Sequence, residues 1–205
     1  MKIENLRFIG TWTDILNDCR FTVHKKDLDK EPSKKFKENI LIAEHSPIRS
    51  MFIKFDIRNL GACFITHLTR HTWTPFVATQ RTDRTNVDRH TLSQDAPNDM
   101  RCEMNIQHGI DTCRKRLCFQ SSKETREAME LAKYEIHKVQ PEIADVFVPN
   151  CVYRGGCPEG ENCCGMYEKW LPFAHVDLVN IKERYKLYNQ WLYNKYDKKE
   201  LEDDN

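Results

Sequence analysis

Met51, Ile53, Phe55 and Ile57 alternate with Phe52, Lys54 and Asp56, and this two-residue period is the tightest local constraint in the chain. Successive strand side chains point to opposite faces, so the pattern predicts a strand with one buried face. Residues 60–69 follow directly and are apolar enough for a buried helix, which delivers its C-terminal end into Arg70.

Elsewhere the periodicity is mostly helical. Residues 11–24 and 32–44 predict two helices, with a charge-rich connector over 27–37. Residues 76–82 are β-compatible, and 83–98 read as an irregular connection. From 100 to 119 the spacing predicts one helix, with Ile106, Ile110, Cys113 and Leu117 facing the core. A second stripe, Asn105, Gly109, Thr112 and Arg116, is polar and contains a glycine, which suits either the close approach of a ligand or a solvated face. Ser121 and Glu124 have capping-box spacing and open a helix that runs to Gln140, where Pro141 stops it. After a loop rich in Cys, Gly and Pro comes a last amphipathic helix with Leu178, Ile181, Tyr185, Tyr188 and Leu192 on one side. The acidic end, 200–205, is expected to fray.

The 205 residues suggest a single domain, with 40% apolar residues and no stretch of spanning length. The N-terminus lacks the apolar run of a secretory signal, so a cytoplasmic protein without membrane contact is expected. A net charge of +1 argues against nucleic acid as a partner. That balance hides a segregation: ten of the fourteen arginines lie between Arg49 and Arg126, with only three lysines. Guanidinium forks match phosphates bidentately, so this region suits small anions such as nucleotide phosphates. Ion pairs with Asp83, Asp88, Asp95, Asp99 and Asp111 are the structural alternative for some of these arginines. Of the nine cysteines, Cys19, Cys63, Cys102, Cys113 and Cys118 read as small core residues. Cys151, Cys157, Cys163 and Cys164 cluster at spacings wider than common structural zinc sites. Free thiols or a disulfide suit this loop at least as well as zinc, with His175 a further candidate ligand, and no metal is assigned.

Residues 70–84 pack Arg70, His71, Arg81 and Arg84 with hydroxyl and amide side chains into a turn-prone segment between apolar stretches. No Gly-rich phosphate loop, His-Glu-x-x-His motif or nucleophile elbow is present. On the residues alone, the chain binds a phosphorylated small molecule.

Two blocks carry a more specific resemblance. Glu44-His45-Ser46-Pro47, a strand, Arg70-His71 and then Gln80-Arg81 form the first. Asn105-x-Gln107-x-x-x-Asp111-x-x-x-x-Arg116, followed by Ser121-Ser-x-Glu124-x-Arg126, forms the second. In order and placement they resemble the flavin-dependent thymidylate synthase family over residues 40–140, leaving 150–205 as the Cys-rich loop and C-terminal helix. The resemblance implies an α/β fold of the α+β kind, with a small, mainly antiparallel sheet wrapped by helices. It also implies a homotetramer with active sites at subunit interfaces. FAD reduced by NADPH would relay a one-carbon unit from methylenetetrahydrofolate to C5 of a pyrimidine deoxynucleotide monophosphate, dUMP giving dTMP.

Carried over residue by residue, His45, Ser46, Arg70, His71, Thr72, Trp73, Asn105, Gln107 and Asp111 would meet the flavin. His67, Ala78, Thr79, Gln80, Arg81, Arg84 and Arg89 would meet the nucleotide, with Arg81 and Arg84 competing for its phosphate. Arg116 would face the pyrimidine carbonyls and stabilise charge on the ring, as the catalytic residue. The sequence departs from the family at Thr72, where arginine is usual, at Gln107 and Asp111, where arginine and asparagine are usual, and at Arg49, where glutamate is usual. These departures keep open the same chemistry on another nucleotide, such as methylation or hydroxymethylation of dCMP. A nucleotide-binding protein without the flavin reaction is the alternative from another class. Glu124 and Arg126 need no catalytic role, the first as a capping residue and the second as a partner for Glu130.

Overall fold

A computed structural model of the chain describes residues 1–170 and 180–203. The chain forms two compact units, Met1–Gly109 and Ile110–Asn205.

The first unit is built on four antiparallel strands: β1 (Lys2–Ile9), β2 (Phe52–Gly61), β3 (Thr74–Val77) and β4 (Pro97–Asn105). Their order across the sheet is β1-β2-β4-β3. The alternation in β2 is realised as read, with Met51, Ile53, Phe55 and Ile57 all fully buried. Helix α1 (Trp12–Phe21) starts at a capping box between Thr11 and Asp14, and α2 (Lys34–Ala43) starts at Ser33. Helix α3 (Ala62–Leu68) follows β2 without a loop and lies against β2 and β4.

The helix expected over 100–119 is corrected by the structure. Residues up to Asn105 are strand β4, and only Ile106–Arg116 form helix α5. Met100, Cys102 and Met104 are buried while Arg101 is exposed, which is the period of a strand. Asn105 ends the strand and its side-chain oxygen accepts from the His108 N–H at 2.9 Å, capping α5. The β-compatible stretch shifts as well, since β3 covers Thr74–Val77 rather than 76–82. Pro75 lies in this strand because β3 is at the sheet edge, where a missing N–H costs little. The irregular connection that follows contains a short helix α4 (Thr82–Thr85) and a 3₁₀ turn, Arg89–Thr91.

The open face of the sheet is organised by Asp56, whose side chain is only 3% exposed. Its carboxylate accepts from Arg101 (2.6 and 2.9 Å), Arg58 (2.8 Å) and Asn5 (2.8 Å). Arg58 extends the network to Glu4 and Asp99. The Arg101 hydrogen bonds hold the Asp56 carboxyl down at about 2, against the opposing effect of burial.

The second unit is helical among its described residues. It contains α6 (Lys123–Val139), α7 (Pro141–Asp145), α8 (Asn150–Arg154) and α9 (Ile181–Asp203). Pro141 ends one helix and begins the next. The capping box expected at Ser121 and Glu124 is not formed. Ser122 occupies the cap position without a side-chain cap hydrogen bond, and the Ser121 hydroxyl is buried with no hydrogen-bond partner. Arg126 pairs with Glu130 at 3.6 Å, as its spacing suggested. Tyr185, Tyr188 and Leu192 of α9 are buried as expected, whereas Leu178 and His175 lie outside the described residues. The end expected to fray is helical through Asp203, and Glu200 accepts from the Tyr134 hydroxyl at 2.9 Å and pairs with Lys138. Lys133 is fully buried, donates to Asn189 and the Ala144 carbonyl, and is pushed down to about 7 mainly by burial. Among the described residues, no helix is long and apolar enough to cross a membrane.

Replacing Asp56 with Asn removes the charge shared by Arg58 and Arg101 and should cost about 2 kcal/mol, read as a lowered denaturant midpoint. The folded pKa of Asp56 lies below the unfolded carboxylate value of about 3.9, so its contribution is complete above that value and disappears as pH falls through about 2. A denaturation series in acid should show this loss in the parent chain and not in Asp56→Asn.

Candidate functional site

The register of the sheet sorts the candidate residues into two groups. One group gathers where β4 ends. Phe52 pairs with Asn105 and Thr74 pairs with Glu103, so the entry to β2, the turn before β3 and the start of α5 share this end. His45 precedes a 3₁₀ turn, Ser46–Ser50, that leads into β2, and both His45 and Ser46 are exposed. Glu44 adopts a left-handed conformation (φ 51°), and its carboxylate accepts from the Gln107 amide at 2.8 Å. That hydrogen bond joins the two sequence blocks across 63 positions. Sequence reading left Glu44 out of the site; its only signal was its place in the first block.

Residues 70–73 form the turn between α3 and β3. Arg70 and Thr72 are exposed and His71 is half-buried, its N–H donating to the Leu68 carbonyl at 3.2 Å. Trp73 is buried and its indole N–H donates to the same carbonyl at 2.6 Å. The His71 and Trp73 rings meet edge to face at 6.1 Å. Trp73, expected at the flavin, therefore anchors the turn that presents Arg70 and His71.

The other group lies where β4 begins. A pocket of about 540 Å³ is lined by Cys63 and Thr66 of α3 with Thr69 just beyond it, by Ala78, Thr79, Gln80 and Arg81, and by Arg89, Gln94 and Asn98. Five of the expected nucleotide contacts thus share one concavity. The wall is held by backbone: the Ala78 N–H donates to the Asp99 carbonyl (2.9 Å), and the Asn98 amide donates to the Ala78 carbonyl (3.1 Å). The N-terminal end of α3 is tied to the far rim by Cys63 N–H to Gln94 carbonyl at 3.0 Å.

Arg81 forms a fork onto Asp83, with bonds of 3.0 and 2.8 Å. Both side chains are more than half exposed, so this ion pair is worth little and a phosphate can replace it. Arg84 is exposed, pairs with Asp83 at 3.8 Å and does not line the pocket, which separates the two competing arginines. His67 is half-buried, with Phe64 edge-on at 6.2 Å, and is not among the lining residues.

The two groups stand apart within one chain. Asn98 and Asn105 are seven positions apart on β4, about 24 Å at the rise of an antiparallel strand. Asp111 and Arg116 belong to the second unit. Asp111 is exposed and pairs with Arg114 at 3.5 Å, and Arg116 is half-exposed in the last turn of α5. On the polar stripe, Gly109 and Thr112 are buried and the Thr112 hydroxyl has no hydrogen-bond partner, so a solvated face does not explain the stripe.

No family model matches the chain, and no match is found among curated proteins. Solved structures do match. One is a UMP/dUMP methylase, PolB from Streptomyces cacaoi bound with 5-Br dUMP, at 13% identity and a TM-score of 0.57. The match covers 71% of this chain and 93% of that chain. Another is the flavin-dependent thymidylate synthase ThyX from Helicobacter pylori, complexed with FAD and dUMP, at 14% identity and a TM-score of 0.55. It covers 72% of this chain and 98% of that chain. The chain has the fold of these enzymes.

Within that fold, Trp73 is separable from Arg70 and His71 of the same turn. Trp73→Phe keeps the ring burial but leaves the Leu68 carbonyl with one donor fewer, which should cost about 1 kcal/mol in a denaturant titration. Nucleotide affinity measured by calorimetry should stay within about twofold, because the indole reaches no part of the pocket.

Proposed function

We propose that the chain catalyses flavin-dependent transfer of a one-carbon unit to C5 of a pyrimidine deoxynucleotide monophosphate, with dUMP as substrate and dTMP as product. The observation that carries this reading is the sorting just described, in a fold shared with a methylase bound with 5-Br dUMP and a thymidylate synthase complexed with FAD and dUMP. Most residues expected at the flavin collect at one end of the sheet, and five of those expected at the nucleotide line a pocket at the other.

The pocket end suits a nucleotide monophosphate. Arg81 exchanges Asp83 for the phosphate, Arg89 adds a second guanidinium from the 3₁₀ turn, and Thr79 and Gln80 supply neutral hydrogen bonds. Arg84 remains with Asp83 at the rim. The β4-terminal end suits a large planar cofactor with polar arms: Arg70, His45 and Ser46 are exposed there, and Asn105 and Gln107 bring amides. Bound there, a reduced flavin supplies the reducing equivalents, with NADPH as their source and methylenetetrahydrofolate as the one-carbon donor. Arg116 holds a fixed positive charge toward the pyrimidine carbonyls and stabilises charge that develops as C5 becomes nucleophilic. Thr72 and Gln107, which stand where the family has arginines, remove positive charge from the cofactor end and keep dCMP open as the second reading.

A separation of about 24 Å between the two ends argues for a site shared between subunits, as in a homotetramer. One chain then contributes its cofactor end to one site and its pocket end to another.

The deciding assay is release of label from C5-labelled dUMP and dCMP, run in parallel with FAD, NADPH and methylenetetrahydrofolate. Release from dUMP is expected; release from dCMP alone would move the assignment to the second reading, and a colourless chain with no FAD affinity would end both. Arg81→Ala should raise the Kd for dUMP by about tenfold and leave that for deoxyuridine nearly unchanged. Assayed at dUMP well below the weakened Kd, where Arg81→Ala turns over slowly, Arg81→Ala and Asn105→Ala chains mixed and reassembled should exceed the summed activity of the two separate variants. Absence of any recovery, with both variants folded and oligomeric, would count against a shared site.

A further inference from the structure

Lys133 of α6 is sealed inside the second unit, and the proposed reaction makes no use of it. Its ammonium donates to the Asn189 side-chain oxygen of α9 at 2.7 Å and to the Ala144 carbonyl of α7. The Tyr193 and Tyr188 rings of α9 stand 5.0 and 5.7 Å from it. Both hydrogen-bond acceptors are therefore neutral. The Asp145 carboxylate of α7 lies one step further, where the Asn189 amide reaches it at 3.2 Å and the Tyr193 hydroxyl at 3.1 Å. His137, one turn along α6, stacks on Tyr193 at 3.8 Å and faces Asp145 at 3.8 Å. Glu130, one turn the other way, is held by Arg126 and Lys195. From α5, the buried Cys113 thiol faces Lys133.

A buried ammonium with no carboxylate against it keeps its charge at the expense of lost hydration, and neutral acceptors and ring faces return only part of that loss. Helix α9 supplies one of the two acceptors and both rings, so lifting α9 is the move that would open Lys133 to water. We propose that α9 is a proton-linked clasp: Lys133, sealed beneath it with neutral acceptors, makes release of α9 from α6 and α7 easier in acid and harder in mild alkali. The clasp lies wholly within Ile110–Asn205 and does not depend on the flavin reading.

The direction follows from where the proton is held. With α9 seated, burial keeps Lys133 down at about 7; with α9 lifted it returns to the ordinary lysine value of about 10.4. Between these values the lifted state binds more protons than the seated state, so lifting becomes harder as pH rises. The neighbouring groups act outside the range from about pH 7 to about pH 8.5. Burial lowers His137, which places its linkage on the acid side of about 6.5. Burial pushes Cys113 up to about 12, so it opposes the lysine only above about 8.5, where an exposed thiol ionises. Tyr188 and Tyr193 are raised by burial as well and enter only near the ordinary tyrosine value of about 10.

The test is amide hydrogen exchange of the α9 backbone in the full-length chain, corrected for the intrinsic pH dependence of exchange, so that protection reads the opening equilibrium. Protection around Tyr188 to Tyr193 should rise roughly tenfold from about pH 7 to about pH 8.5 in the parent. His137→Gln should keep that rise, and Lys133→Met should abolish it. If Lys133→Met does not fold, the parent and His137→Gln series still decide. Parent protection that is flat or falls over this range, a rise that persists in a folded Lys133→Met chain, or a rise that vanishes in His137→Gln would each overturn the proposal.

Discussion

The carboxylate of Asp56 is the contact on which the first unit depends. It is buried on the face of the sheet that sequence periodicity leaves open, and it is satisfied by side chains from β1, β2 and β4. A buried charge is tolerated only with such a full set of partners, and removing any one of them leaves the others exposed to a desolvation cost. Because the partners come from three strands, the network also specifies register. A slip by one residue would turn Asp56 into the apolar face and expose Ile57. The positions of Asn98 and Asn105, and hence the two ends of the candidate site, follow from that register.

The same network explains why arginine is concentrated in the middle of the chain. Arg58 and Arg101 serve the sheet, Arg114 stacks on the Tyr153 ring at 3.7 Å and pairs with Asp111, and Arg126 pairs with Glu130 beside Phe119. The arginines left for a ligand are those held loosely at the surface, such as Arg81 and Arg89. Chemistry alone does not divide the two classes. A guanidinium that binds phosphate well binds carboxylate equally well, and the difference lies in whether its partner is buried.

Strand β2 and helix α3 were legible because their apolar residues follow one period over a whole element. Strand β4 was not. Its buried residues Met100, Cys102 and Met104 run straight into the Ile106–Ile110 stripe of α5, and no turn residue marks the change of period. The pocket residues Ala78–Arg81 and Arg89 were singled out by resemblance, but the separation between them and the candidates at the far end of β4 was not legible, because it depends on strand pairing. The Glu44–Gln107 bond spans 63 positions and carries no local signal.

Strand β3 links the two ends of the site and has only four residues. Arg70 and His71 precede it and Thr79 and Gln80 follow it, so it acts as a ruler between the part that would meet the cofactor and the part that would meet the nucleotide. Its pairing with β4 and the fixed φ of Pro75 leave it little freedom to stretch. One inserted residue would lengthen the ruler by about 3.4 Å and reverse the facing of everything beyond it. Evolution of this chain toward a different ligand is therefore expected to proceed by substitution around Thr72 and Gln80, with the length from Thr74 to Val77 left unchanged.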